Sequence, residues 1–250
     1  ALETSKGEFV LLLNSDTIIQ KGALPQLLSS FANHPLEAST AHLSSARDKL
    51  DHLGILAATL LNSDGSHQPQ GGSLPSLISL FTMMFFIDDL PVVGTIFPTV
   101  QETGQAAKHR QFIKHQLTNK LIQKGWVAGT AMMIRKEVIN DIGLLDSNIF
   151  MYGEDIEYCL RAKNHHWDVA IDPQAKVTHL GSASSSSENA ILGEIQAYLY
   201  IWAKHKPHWQ RRFAKMILYW GLTLRIFIYK FIISRPTRAK TYKKALDLLN

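Results

Sequence analysis

The chain reads as an α/β protein, a mixed sheet flanked by helices and followed by a C-terminal amphipathic helical segment. Three observations predict this class. Residues 8–13, Glu-Phe-Val-Leu-Leu-Leu, are a short continuous apolar run of the kind found in buried parallel strands, closed by the turn formers Asn14-Ser15-Asp16. Residues 22–34 carry Leu24, Leu27, Leu28 and Phe31 at helical spacing, with Gly22 and Pro25 in the opening turn. Asn62-Ser63-Asp64-Gly65, after an apolar run, is a hairpin signal, which makes the sheet mixed.

The remaining elements follow in order. Gly54 to Leu61 is an apolar strand, and the hairpin leads into Ser66-His67-Gln68. Leu77 to Ile87 is an apolar helix or loop, Asp88 to Pro98 is punctuated by proline, and Lys108 to Lys124 is a basic helical stretch. Trp126 to Ile134 reads as a strand interrupted by Gly129, a sign of a bulge or of close approach by a ligand or another backbone. Arg135 to Ile142 is a short helix that Gly143 stops. Phe150-Met151-Tyr152-Gly153-Glu154-Asp155 opens a helix through about Asn164. An alternating strand runs through Val169 and Ile171 to Pro173, and Val177-Thr178-His179 forms a second short strand. Ser182 to Ser187 is a serine-rich loop. It divides a body, residues 1–187, from a tail, residues 188–250.

Composition limits the function classes. A chain of 250 residues, 46% hydrophobic and 19% charged, buries a full core. The single cysteine, Cys159, precludes an intramolecular disulfide and fits a cytoplasmic setting. Eleven histidines without cysteine partners make no zinc-finger array, and 15 Gly with 9 Pro exclude a collagenous or linker chain. The net charge of +5 hides an asymmetry: residues 1–194 carry 14 Lys and Arg against 20 Asp and Glu, while 195–250 carry 12 against 1. An acidic, site-bearing body is thus joined to a segment suited to an anionic partner, membrane or nucleic acid.

Three places could carry chemistry. Asp16 follows a strand, at the end where open α/β sheets bind ligands, and its hard oxygens suit Mg²⁺ or Mn²⁺ bridged to a diphosphate; Asn-Ser-Asp is also ordinary turn chemistry. Glu154 and Asp155 open a helix, where acids complement the macrodipole. Two adjacent carboxylates also oppose each other's ionisation, which keeps one basic enough to accept a proton. His179 ends a strand beside Leu180-Gly181; it is a structural imidazole or a ligand for an Mn²⁺-type ion. His165-His166, adjacent rather than one turn apart, reads as a pair of helix-end or solvent-facing residues.

The order of these segments carries a resemblance. Asn-Ser-Asp comes after a strand, then the Asp-Gly hairpin, Trp-Val-Ala-Gly-Thr-Ala with Met-Ile-Arg-Lys-Glu, Phe-Met-Tyr-Gly-Glu-Asp-Ile-Glu-Tyr-Cys-Leu-Arg, and Pro-Gln-Ala-Lys-Val-Thr-His-Leu-Gly-Ser. Together, over roughly residues 6–185, they resemble the family 2 glycosyltransferases of the GT-A fold, particularly rhamnosyltransferase-like members that build bacterial cell-surface polysaccharides. The resemblance implies that Asn14, Ser15 and Asp16 match an Asp-x-Asp-type motif, with Asp16 holding a divalent cation and the donor diphosphate and His179 completing the metal site. It implies Asp155 as catalytic base, Glu154 orienting the acceptor, Trp126 and Gly129 lining the sugar and acceptor pocket, and Arg161 as a structural arginine. The implied reaction is inverting transfer from a nucleotide-sugar to a hydroxyl of a lipid-linked or glycan acceptor. The family's first βαβ unit, which holds the nucleotide, is expected upstream of residue 1, so the chain is expected to be a fragment.

In the tail, residues 211–235 combine Arg211, Arg212, Lys215, Arg225 and Lys230 with Phe213, Ile217, Trp220, Leu224, Phe227, Ile228 and Phe231. On a helix Phe213, Ile217, Trp220, Leu224 and Phe231 share a face and most of the cations share the other, so the segment is expected to lie in a membrane interface, on the inner face of the plasma membrane, rather than to span it; the alternative is a core-packing helix with a solvated basic face. Rings opposite the cations suit lipid better than nucleic acid. The competing reading is a non-catalytic, membrane-docking scaffold.

Overall fold

The computed structural model describes residues 2–34, 52–90, 92–102, 120–181 and 187–249. Contacts divide the chain into two compact units. One comprises Ala1–Gly71, Gln111–Leu145 and Tyr158–Gly181; the other comprises Gly72–Arg110, Asp146–Glu157 and Ser182–Asn250. Residues 72–110 and 146–157 group by contacts with residues 182–250.

The first unit is the sheet. Its strands are β1 (Phe9–Leu13), β2 (Thr17–Ile19), β3 (Leu53–Leu61), β4 (Ile122–Gln123), β5 (Ala131–Arg135) and β6 (Asp168–His179), in the order β1-β5-β3-β6-β2, with β4 also on β6. β3 and β6 run parallel at its centre, while β1 and β3 each pair antiparallel with β5. Apolar β3 and β5 side chains such as Leu53, Ile55, Leu56, Met132 and Ile134 are fully buried with Val169 and Ile171 of β6. Each such side chain contributes about 1.5–3 kcal/mol. α1 (Ala23–Ala32) covers the sheet through Ala23, Leu27, Ser30 and Phe31, with Leu28 exposed. Arg135, buried at the end of β5, donates to the carbonyls of Phe31 and His34 at the end of α1 and to Leu53 on β3, a cation placed where a helix dipole favours it.

Three expectations are revised. β1 is a half-buried strand paired antiparallel with β5, not a buried parallel one. The strand expected from Trp126 is confined to Ala131–Arg135, with Gly129 and Thr130 in the turn before it. The two strands expected after residue 168 are one. The pairing of β6 with β3 jumps from Asp172 to Lys176, and the Asp172 carboxylate accepts the Gln174 and Ala175 N–H groups in the bulge. The hairpin after β3 forms as expected, with Leu61 bridged to His67. Of the basic stretch expected over 108–124, residues 108–119 lie outside the described residues and 122–123 are strand; 182–186 of the serine loop also lie outside them.

The second unit is helical. It contains α2 (Leu77–Met84), α3 (Val93–Ile96), then, after α4 (Lys136–Ile142) of the first unit, the start of α5 (Glu154–Asn164), and α6 (Ser187–His205), α7 (His208–Phe227) and α8 (Pro236–Asp247). A π-helical turn, Ile228–Ile232, follows α7. The tail is therefore three packed helices rather than one amphipathic segment. Gly221 lets α7 approach α2, since a Cβ there would lie 2.7 Å from Met84 Cβ. No helix among the described residues is long and apolar enough to cross a membrane.

Candidate active site

Asp16 and His179 are brought together by backbone register. β2 pairs with β6 with Thr17 opposite His179, and the Leu180 N–H donates to the Asp16 carbonyl at 2.9 Å. The consequence is an Asp16 Oδ1 to His179 Nε2 distance of 3.3 Å, both side chains partly buried, at the C-terminal ends of β3 and β6. Gln68, from the hairpin after β3, sets the imidazole: its Oε1 lies 2.8 Å from His179 Nδ1. With Nδ1 donating to that oxygen, Nε2 turns its lone pair toward the carboxylate.

A divalent cation fits this donor set. Two ligands on one octahedral Mg²⁺ or Mn²⁺ sit about 3 Å apart, and such ions take one or two protein ligands with diphosphate and water oxygens for the rest. Among the described residues no third His, Cys, Asp or Glu joins the pair. Asn14 adjoins the site: its N–H donates to the Thr130 carbonyl at 3.0 Å and its own carbonyl accepts from Thr17 Oγ1 at 2.7 Å. Gly129 thereby lies in the turn abutting Asn14-Ser15-Asp16. Trp126 is buried, and the Gly71 backbone packs so closely that a Cβ there would lie 2.3 Å from the Trp126 carbonyl.

Glu154 and Asp155 belong to the helical unit. Tyr152 and Gly153 precede them with left-handed φ of 67° and 111°, a conformation unfavourable for tyrosine that the surroundings must enforce. Two positions on α6 do so. A Cβ on Gly193 would lie 2.8 Å from Tyr152 Cδ2 and 3.1 Å from the Met151 carbonyl, and a Cβ on Gly153 would lie 2.4 Å from Ala197 Cβ. Beside this turn, Asn148, Phe150, Tyr152, Gly193, Gln196 and Tyr200 line a cleft of about 460 Å³, with Phe150 94% exposed at its rim.

Burial, opposed in part by backbone N–H groups of Tyr152, Gly153 and Glu154, pushes the Glu154 carboxyl above its ordinary range. Its Oε2 is buried without a hydrogen-bond partner among the described residues. The cause is desolvation, not the neighbouring acid that the sequence suggested. Asp155 Oδ1 accepts the Ile156 N–H at 2.8 Å, which holds the carboxylate at the helix N-terminus.

Sequence reasoning missed the ion cluster that anchors this helix. Glu157, 0% exposed, accepts from Lys204 Nζ at 2.8 Å and pairs with His205 Nε2 at 2.9 Å. Lys204 also reaches Asp146 at 2.6 Å, and Tyr200 donates to Asp146 at 2.7 Å. These donors and the Asn148 N–H hold the Asp146 carboxyl far below the usual range. The available signal was Glu157 three residues beyond Glu154, but no spacing rule connects it with residues 204 and 205. Arg161 is structural: it donates to the carbonyls of Ile142 and Leu144 and stacks on Tyr158. His165 ends α5 and pairs with Asp141, as its helix-end reading implies.

An aspartate and a histidine brought together where β2 pairs with β6, and a Gly-Glu-Asp helix start later in the chain, are the features expected of a glycosyltransferase class. The chain belongs to that class: residues 1–193 match the model of the family described as "Glycosyltransferase like family 2". It is 21% identical over 245 residues to an N-acetylglucosaminyl-diphospho-decaprenol L-rhamnosyltransferase of Mycobacterium tuberculosis, covering 97% of this chain and 69% of that protein. The same enzyme from a second strain of that organism matches equally.

Proposed function

We propose that the chain transfers a sugar, with rhamnose the leading candidate, from a nucleoside-diphosphate donor to a hydroxyl of a lipid-linked or polysaccharide acceptor in cell-surface glycan synthesis, with inversion. The observation that carries this reading is the Asp16–His179 pair, 3.3 Å apart at the strand ends and oriented by Gln68. Asp16 and His179 would hold an Mg²⁺ or Mn²⁺ ion, with Asn14 and Ser15 beside the donor diphosphate. A cation there would neutralise the charge that develops on the leaving diphosphate. The relative's decaprenol-linked acceptor supports a lipid-linked one here.

Asp155 acts as general base. It takes the proton of the acceptor hydroxyl, whose oxygen bonds to the anomeric carbon as the bond from that carbon to the diphosphate oxygen breaks. A single displacement inverts the configuration. Glu154, with its unpartnered buried oxygen, orients the acceptor, and the cleft beside Tyr152 receives it. Trp126 and Gly129 line the sugar pocket. In this reading residues 1–187 are the transferase module and 188–250 the membrane-facing tail, working on the inner face of the plasma membrane.

The test is Asp155→Asn. Sugar transfer falls by about 10²–10⁴-fold, the range of a lost general base, while nucleoside-diphosphate affinity is kept. Transfer at the parent rate would overturn the assignment. A parent chain that binds membranes but neither transfers nor hydrolyses any donor would support the scaffold reading instead.

A further inference from the structure

α7 has three sectors. Ala214, Leu218, Gly221 and Leu222 are buried within the helical unit. Trp209, Phe213, Met216, Trp220 and Phe227 recur at steps of four, three, four and seven, so at 100° per residue they form one stripe on the side away from those contacts. All five are exposed, Trp209 by 56% and Trp220 by 57%. The stripe continues into the π-helical turn with Phe231, 63% exposed, whose ring lies 5.3 Å from that of Phe227. Exposed Arg212 and Lys230 run along one edge with Tyr219, and Lys230 Nζ sits 4.9 Å from the Phe231 ring, while Lys215 donates to the Leu249 carbonyl at 3.0 Å.

This arrangement corrects the sequence-based picture of rings opposite cations. The side opposite the rings is packed against protein, and the cations flank the rings. Arg225 is not a surface cation at all: its guanidinium donates to the Met83 and Met84 carbonyls at the end of α2 and stacks 4.3 Å over Phe86.

We propose that this stripe seats the chain on an anionic lipid surface. α7 would lie in the plane of the interface, its rings at the acyl boundary and Arg212 and Lys230 among the headgroups. A row of large apolar side chains left in water marks an interaction surface. Tryptophan and tyrosine beside cations match the layered chemistry of a bilayer interface, apolar below and anionic above. A second copy of the chain is disfavoured as occupant, because two tails with 12 cations against 1 acid each would meet face to face. The inference deepens the lipid-linked acceptor reading, on which its place in the reaction rests.

The experiment uses the full chain and vesicles of phosphatidylcholine, alone or mixed with phosphatidylglycerol, read by co-sedimentation, with no sugar present. The parent chain binds the mixed vesicles more tightly. Phe213→Glu with Trp220→Glu weakens that binding by at least about tenfold, with far-UV circular dichroism unchanged because both side chains are exposed. Arg212→Glu with Lys230→Glu removes most of the preference for anionic vesicles. Failure of the parent chain to bind vesicles at low salt would overturn the proposal. So would equal binding by the Phe213/Trp220 variant, binding to RNA but not to vesicles, or a dimer dissolved by that variant without any vesicle binding. A chain that binds vesicles as described yet transfers no sugar leaves this inference standing and removes the transferase reading.

Discussion

Backbone hydrogen bonds place the Asp16–His179 pair: antiparallel register sets Thr17 against His179, and a backbone bond ties Leu180 to Asp16. Side chains contributed by a helix some forty residues further along place the Glu154–Asp155 turn. Gly193 and Ala197 accept its left-handed backbone, and Lys204 and His205 bond the buried Glu157 beneath it. Register is specified by every residue of a strand pair, so the first region tolerates single changes outside its ligands. The second depends on a few contacts, each of which can be removed alone.

The contrast is tested first at Glu157. Glu157→Ala removes the buried acceptor shared by Lys204 and His205 while Lys204 keeps Asp146, and urea unfolding should show a loss of about 1.5–3 kcal/mol. A loss below 1 kcal/mol would mean the cluster does not anchor α5. Gly193→Val is a smaller perturbation. Its Cβ must displace Tyr152, at about 1–3 kcal/mol, and transfer should fall while Mn²⁺ binding at Asp16 and His179 stays at the parent level. Loss of both together would show that the two regions are not independently built.

The smallest effect concerns pH. Burial raises the Glu154 carboxyl in the folded chain above the 4.5 ordinary for a glutamate, so the folded state binds the proton more tightly than the unfolded chain. Its contribution to stability is therefore greatest at low pH and is lost as pH rises from about 4.5 through the folded value. Glu154→Gln should be more stable than the parent chain at neutral pH, with the advantage vanishing in acid. An advantage independent of pH would place the carboxylate in water instead.

What could be read from the sequence follows the same division. The apolar run of β3, the Asn-Ser-Asp-Gly hairpin, the Gly143 stop and the start of α5 are local signals, and each is realised. Asp16 and His179 could be singled out because each ends a strand, where α/β sheets gather ligands. The antiparallel pairing of β1 was not visible, since an apolar run looks the same in either direction. Nor was the β6 bulge, which Asp172 stabilises through backbone N–H groups only three residues away. The clusters joining residue 157 to 204 and residue 193 to 152 are non-local, and only packing brings them together. The tail's periodicity was visible, but which face meets protein was decided by Gly221 against Met84.

In the proposed reaction Asp16 and His179 share one cation while Asp155 serves the acceptor. The most direct measurement is titration of the full chain with Mn²⁺ in the presence of a nucleoside diphosphate, following free Mn²⁺ by electron paramagnetic resonance. Asp16→Asn and His179→Ala should each weaken binding by at least about tenfold, and Asp155→Asn should leave it unchanged. Parent-like binding by the first two variants, or loss of binding in the third, would contradict the account.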